Sequence, residues 1–409
     1  QAQRLAHRVP HAVLPPPVTP LACELARADG VCDNSSDDTA ALRTALAACP
    51  LTTLKAGATC VSQPLTIASD RALHLEPNST LRAGRRWAGL LSVRPFVFVK
   101  DVDNVTISGT GTIDGAGAQW WPTSAIDKRP RPRMVVFDNA SRVRIEGVTL
   151  LNSAFWTLLL GGRDFYVASV RIRAPDFQRA PNTDGIDVAA HGVHITDADV
   201  SNGDDSICIK SPSSNVLVER SVVAAGNGLV VGTADSGLEG NDPNLADVSN
   251  TTFRHCIIND TTFGCHIKFR PPQRGRARNI TFENITVVQT AEAARRRAAA
   301  GDWAGYAIGM HQGDQGAAAS QHAMWPTSVS IDNVNFRDVR GAVQHAGQFQ
   351  CSGWVSAACR GISLERVELN AALDGCSFKH VSGTGDAVLP PSCVPPPGRL
   401  RLLWERGRI

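Results

Sequence analysis

The chain has no apolar run approaching the roughly 18 residues a membrane-spanning helix requires, so a protein that works in water is expected. Its 409 residues carry a formal net charge of only +3. That balance argues against binding nucleic acid by bulk charge, while a mild basic excess does not repel an acidic polymer. No Cys-x-x-Cys occurs among the 11 cysteines, which speaks against a zinc site or a thioredoxin-type motif. Helical periodicity is nearly absent between about residues 51 and 382, which disfavours βαβ folds and TIM-type barrels.

What fills that span is a succession of short β-rich runs broken by Gly, Asn and Asp. Val105-Thr106-Ile107, Val143-Arg144-Ile145, Val193-His194-Ile195, Val216-Leu217-Val218 and Ile280-Thr281-Phe282 occupy comparable places, most of them behind an Asn or another turn residue. Antiparallel sandwiches also have short strands, but they rarely repeat a similar unit this often. A coiled repeat does. With hydrophobic residues at 43%, the chain can bury a large core. The fold expected is an all-β, right-handed parallel β-helix.

Two polar turns organise the middle of it. Pro181-Asn182-Thr183-Asp184-Gly185 runs into Ile186-Asp187-Val188, and Gly203-Asp204-Asp205-Ser206 runs into Ile207-Cys208-Ile209-Lys210. Asp184 and Asp205 are 21 residues apart. A similar turn returns at Gly226-Asn227-Gly228 before Leu229-Val230-Val231, and again around Cys265-His266-Ile267-Lys268-Phe269.

The ends differ in character. Residues 1–20 are Pro-rich and aperiodic and are expected to be a disordered lead-in. Residues 21–393 are expected to form the β-helix, and 394–409, behind Pro395-Pro396-Pro397, an extension. Asp37-Asp38-Thr39 followed by an apolar stripe to Leu46 predicts one short helix ending near Cys49-Pro50, placed to cap the open end of the coil. Ala291 to Ala300 predicts a second short helix, with Arg295-Arg296-Arg297 on a solvated face.

Two features point to an extracellular compartment. Eight Asn-x-Ser/Thr sequons stand at Asn34, Asn78, Asn104, Asn139, Asn250, Asn259, Asn279 and Asn284. The cysteines also suggest disulfides, with Cys23/Cys32, Cys351/Cys359 and Cys376/Cys393 as pairs that could close short loops. The odd count leaves a free thiol, for which Cys208 is the candidate. The sequence starts at Gln1 without a charged-then-apolar leader, so any secretory signal is expected to be already gone or never shown.

Neighbouring strands of such a coil lie about 4.8 Å apart. Asp184 on one turn and Asp204 and Asp205 on the next would then share one small region, and like charges that close raise the pKa of one of them. A protonated carboxyl beside ionised ones suits glycosidic cleavage: one group gives its proton to the leaving oxygen and another activates water. A separation of roughly 6.5–9.5 Å leaves room for that water and inverts the anomeric centre. Calcium binding and plain turn punctuation are the alternatives for clustered Asp.

Asn182-Thr183-Asp184, Asp204-Asp205, Gly226-Asn227-Gly228 and Ile267-Lys268, in that order, closely resemble glycoside hydrolase family 28, the polygalacturonases and related pectin hydrolases. Similar segments are Gly109-Thr110-Gly111-Thr112-Ile113-Asp114-Gly115 with Trp120-Trp121, Asn152-Ser153 with Phe155-Trp156-Thr157, and Arg278 to Ile285. The closing Gly383-Thr384 to Cys393 is another, and together they cover roughly residues 30 to 393. The resemblance implies a secreted, monomeric inverting hydrolase of α-1,4 links between galacturonates, with pectin as its anionic partner, no cofactor and no metal. It implies Asp204 as general acid, Asp184 and Asp205 as the pair that holds and activates water, and Lys268 on a galacturonate carboxylate. Asn182 is implied to be structural or substrate-orienting.

Departures from the family's pattern bear on the substrate-binding residues. Asn227 stands where Gly-His-Gly is usual, and His266 where Arg-Ile-Lys is usual; histidine lacks the guanidinium fork and is cationic only at low pH. The family's substrate-side Tyr has no clear match between Tyr306 and Asp314. The departures leave other readings open: hydrolysis of rhamnogalacturonan, xylogalacturonan or another uronide, or a weakly active or non-catalytic pectin-binding wall protein. A calcium-dependent pectate lyase fits the motif order less well.

Overall fold

The computed structural model describes residues 22–26, 31–84, 94–122, 130–299, 305–313, 328–351, 359–379 and 381–382. The expected lead-in 1–20 and extension 394–409 lie outside the described residues. Among the described residues, 29 strands belong to one sheet in which every pairing is parallel. The chain winds as a right-handed parallel β-helix, as the repeat of short strands predicts.

Three stacks of strands form the faces of the coil. One aligns Val105, Val143, Phe165, Val193, Val216, Thr251, Ile280 and Val334 in register. The second aligns Ile113, Leu150, Ile172, Val200, Val223 and Ile258. The third aligns Val135, Leu158, Ile186, Ile207, Leu229, Cys265 and Ile308. Side chains alternate between faces along a strand, so these rows point inward and fill one continuous core. Phe253, Phe282 and Phe336 are in register and stack nearly parallel, with centroids 4.8 and 5.2 Å apart. Each such buried ring contributes roughly 1.5–3 kcal/mol.

The Asn residues ahead of these strands have a backbone reason. Asn215, Asn250, Asn279 and Asn333 all hold φ between 53 and 56°. That left-handed region admits Asn more readily than other non-glycine residues. Stacked one coil above another, their amides form a ladder: Asn250 donates to Asn215 at 3.2 Å, Asn279 to Asn250 at 2.9 Å and Asn333 to Asn279 at 2.9 Å.

Helix α1 (Thr39–Ala48) turns Leu42, Ala45 and Leu46 onto the core at the N-terminal end of the coil, the capping place expected. Asp37 Oδ1 accepts from the Thr39 amide at 3.0 Å. Asp38 instead ties two segments together, accepting the Cys32 and Val61 amides at 2.8 Å each. Helix α2 (Ala291–Ala299) forms where expected. It does not lie wholly on a solvated face, because Arg297 is buried.

The cysteine pairing needs a partial correction. Cys351–Cys359 closes a short loop as expected, but Cys23 bonds Cys49 and Cys32 bonds Cys60. Parallel winding brings residues one coil apart side by side, so proximity follows coil length rather than short sequence spacing. Cys376 is disulfide-bonded, and its expected partner Cys393 lies outside the described residues. Cys208 is a free, buried thiol as expected, and Cys256 and Cys265 are too. No helix among the described residues is long and apolar enough to cross a membrane.

Candidate active site

The third stack of strands builds the site, because its turns face one side of the coil at successive levels. Ile186, Ile207, Leu229 and Cys265 pair in register and point inward, so the turns ahead of them lie one above another. Those turns carry Asp184, Asp204–Asp205 and Asn227. One oxygen from each of Asp184, Asp204 and Asp205 lies within 4.8 Å of the other two, the convergence expected from the sequence. That bound is between nearest oxygens, a shorter measure than the roughly 6.5–9.5 Å between whole carboxyl groups. A water making two hydrogen bonds of about 2.8 Å still bridges such a gap.

Backbone contacts hold the turns in place. Asn202 Nδ2 donates to the carbonyls of Thr183, Asp204 and Asp205 at 2.9–3.0 Å, joining the two acidic turns. The Asn227 amide N–H donates to Asp204 O at 2.8 Å. Gly226 must be glycine here, since a Cβ would stand 2.2 Å from Asp204 O.

The three carboxyls differ in their surroundings. Asp204 accepts from Asn182 Nδ2 at 3.1 Å and from Asn227 Nδ2 at 2.9 Å. Burial raises its pKa, and the neighbouring Asp205 charge raises it further. Burial also pushes Asp205 upward, but Lys268 and Lys210 outweigh it and hold Asp205 below its ordinary value. The Lys268 ammonium lies 2.8 and 2.7 Å from the two Asp205 oxygens, and Asn227 Nδ2 adds a bond at 3.2 Å. Asp184 is raised well above 3.8 by burial and then by Asp204 and Asp187, and its Oδ1 is buried without a hydrogen bond to protein.

Two expected substrate contacts are internal here. Both Lys268 contacts go to Asp205. His266 packs against Phe263 with ring centroids 3.9 Å apart, and its Nε2 meets His311 Nδ1 at 3.1 Å. Burial and the nearby His311 push its pKa well below 6.5, which disfavours the imidazolium. His311 in turn bonds Gln348 Oε1 at 2.7 Å.

Sequence reasoning missed a second layer. Asp187 pairs in register with Cys208 and through it with Val230 and His266, on the face opposite the core row. Burial raises Asp187 to about 6, against the pull of Lys210, whose Nζ lies 3.4 Å away. Lys210 and Arg133 approach the Trp156 ring at 4.4 and 4.5 Å from its centroid. Arg131 sits 4.9 Å from the Phe155 centroid and donates to Asn182 Oδ1 at 2.8 Å. The signals were present as an Asp two residues past Gly185, a Lys closing the Ile207 run, and the Phe155-Trp156 pair. None has a spacing that separates it from ordinary strand sequence.

The Asp184–Asp204–Asp205 triangle has the donor chemistry for a hard cation. Calcium, however, takes 6–8 oxygens, and here Lys268 already neutralises Asp205. Cys32, Asp38 and Cys60 also cluster, but the two cysteines are bonded to each other and are not available as thiolates.

The chain is 29% identical over 303 residues to a polygalacturonase of Chamaecyparis obtusa, covering 70% of this chain and 54% of that one. It thus spans about half the length of that relative. The fold superposes on a polygalacturonase from Erwinia carotovora ssp. carotovora with TM-score 0.68 and 21% identity, covering 90% of this chain and 98% of the other. It also matches an exopolygalacturonase from Thermotoga maritima, with TM-score 0.66 and 18% identity over 92% and 94% of the two chains. The sequence profile of Glycosyl hydrolases family 28 matches residues 49–297, which includes all three carboxylates, Asn227 and Lys268, and the chain belongs to that family.

Proposed function

We propose that this protein is an inverting glycoside hydrolase that cleaves α-1,4-galacturonosyl links of pectin. One observation carries the reading: three carboxyls converge within 4.8 Å, and of the adjacent pair Asp205 alone meets the Lys268 ammonium, at 2.7–2.8 Å, which favours its ionised form and leaves Asp204 the better proton donor. Paired groups with pKa values pushed apart can act as acid and base at one pH. Asp204 protonates the leaving glycosidic oxygen. Asp205, with Asp184 across the gap, orients and deprotonates the attacking water.

Lys210, Arg131 and Arg133 offset the carboxylates for an anionic chain, and Phe155 and Trp156 offer aromatic surface beside them. Lys268 has a double role. A substrate carboxylate that draws its ammonium away from Asp205 raises the basicity of Asp205 as water must be activated. Asn182 and Asn227 hold Asp204, and His266 supports Lys268 from the neutral interior. The polygalacturonase names of the relatives agree with a polyuronate substrate. Three disulfides among the described residues support an oxidising, extracellular setting.

The test is release of reducing ends from polygalacturonate, with the first-formed anomer followed by proton NMR. Inverted product is expected from the wild type, and Asp204→Asn should lower kcat by about 10²–10⁴. No release from polygalacturonate, rhamnogalacturonan or xylogalacturonan, or an unaffected Asp204→Asn, overturns the reading.

A further inference from the structure

Between the strands Arg274–Val288 and Tyr306–Gln312 the chain spends residues 289–305, where the preceding coil passes from Asn259 to Phe263 in residues 260–262. Helix α2 occupies part of this insertion. Its neighbouring arginines behave differently. Arg295 and Arg296 are exposed, and Arg296 pairs with Glu292 one turn back on the same helix. Arg297 is only 9% exposed.

The Arg297 guanidinium reaches two turns of the coil at once. It donates to Ala225 O at 2.5 Å, to Gly226 O at 3.2 Å and to Asp260 O at 3.0 Å, and also bonds Thr262 Oγ1. All three carbonyls share Nη2, while Nη1 takes Thr262 Oγ1, so the rigid guanidinium plane ties the two turns together as a surface arginine does not. Two of the three clamped carbonyls belong to the residues directly ahead of Asn227. Ala225 sits at φ 63°, and the Gly226 carbonyl also accepts the Thr262 amide at 2.9 Å. With both peptide planes held, the direction of the Asn227 side chain is set. That one amide nitrogen divides between Asp204 Oδ1 at 2.9 Å and Asp205 Oδ1 at 3.2 Å.

We infer that Arg297 is a positioning residue for the active site: from the inserted helix it clamps the Ala225–Gly226 turn and thereby aims the Asn227 amide between Asp204 and Asp205. The inference rests on the hydrolytic reading for its kinetic consequence, and on geometry alone for its effect on the carboxyls. A misaimed amide withdraws a donor from ionised Asp205, so the pKa of Asp205 rises and the acidic limb of the rate profile moves to higher pH.

The experiment compares the full chain with Arg297→Ala, Arg297→Lys, Asn227→Ala, the Arg297→Ala/Asn227→Ala double variant and, as control, Arg296→Ala. Arg297→Ala should lower kcat about tenfold with KM within about twofold, and move the acidic limb upward. Arg297→Lys should recover part of the loss, Arg296→Ala should behave as wild type, and the double variant should be no slower than Asn227→Ala alone. If Arg297→Ala does not fold, Arg297→Lys carries the same comparison at smaller amplitude. Losses that multiply in the double variant, or an unmoved limb, overturn the inference. Carbon-13 titration of the Asp carboxyls is the readout independent of turnover. If the wild type hydrolyses no polyuronate, the hydrolytic reading fails, while an upward shift of Asp205 in Arg297→Ala still supports the clamp and its absence still refutes it.

Discussion

Two rows of polar turn residues climb this molecule, and they obey opposite rules. In the ladder of Asn215, Asn250, Asn279 and Asn333, every coil repeats the same residue in the same backbone conformation, and each amide bonds the one before it. On the groove side, Asn182, Asp204–Asp205, Asn227 and Lys268 also occupy successive coils, but no two levels match. There the bonds run between unlike groups: Asp184 Oδ1 is buried without a hydrogen bond to protein, and Asp187 is held by the Lys210 ammonium at 3.4 Å. Repetition satisfies every polar group and yields stability. Breaking the repeat leaves buried charges in conflict, which costs stability and makes proton transfer possible.

The comparison can be broken at Asn227, where the largest effect is expected. Asn227→Ala removes a donor shared by two carboxyls, and a hydrogen bond to a charged group is worth about 1.5–3 kcal/mol. A fall in kcat of about 10–100-fold is expected, with the acidic limb of the pH–rate profile moved upward as Asp205 loses a donor. An unshifted limb would show that Asn227 is packing rather than tuning.

The pH dependence of stability sharpens the contrast at the next level. Asp187 has its pKa raised to about 6, first by burial, above an ordinary value of 3.8. Between about pH 4 and 6 the folded protein therefore holds a proton that the unfolded chain has released, so stability falls as pH rises through this window. Asp184 and Asp204 shift in the same direction, while the buried imidazoles His266 and His311, with pKa values pushed below 6.5, act in the opposite sense. The Asp187 contribution is therefore read as a difference: Asp187→Asn should gain melting temperature relative to wild type as pH rises from about 4 to 6. A wild type and Asp187→Asn whose melting temperatures run parallel from about pH 4 to 6 would contradict this assignment of charge to Asp187.

The smallest effect belongs to the ladder. Asn279→Ala loses two ladder bonds and forces a β-carbon residue less suited to φ 55°. A loss of about 1–2 kcal/mol in unfolding free energy is expected, with kcat within about twofold of wild type and the pH slope of stability unchanged. A kinetic defect in this variant would mean that the two rows are coupled after all.

The fold was readable because its signal is redundant: many short strands and turns agree, and no single residue decides. The meeting of Asp184 with Asp204 and Asp205 was readable for the same reason, since one coil of offset places equivalent turns side by side whatever the rest of the chain does. The disulfides were read less well. Cys23 and Cys32 are close in sequence, yet each bonds a cysteine on the neighbouring coil, at separations of 26 and 28 residues. The setting of His266 was not legible, because its letter reveals neither the Phe263 ring against it nor the burial that lowers its pKa. Arg297 was invisible among three consecutive arginines, since only the seating of the helix selects which one turns inward.

The sequence by itself determined the coil, its register and the identity of the carboxylates on adjacent turns, because strand spacing and side-chain alternation are properties of the backbone. Only the tertiary structure decided which carboxyl is ionised and which keeps its proton. That choice depends on burial and on whether Lys268, Lys210 or another Asp stands within a few ångströms, and those neighbours come from coils that sequence order separates.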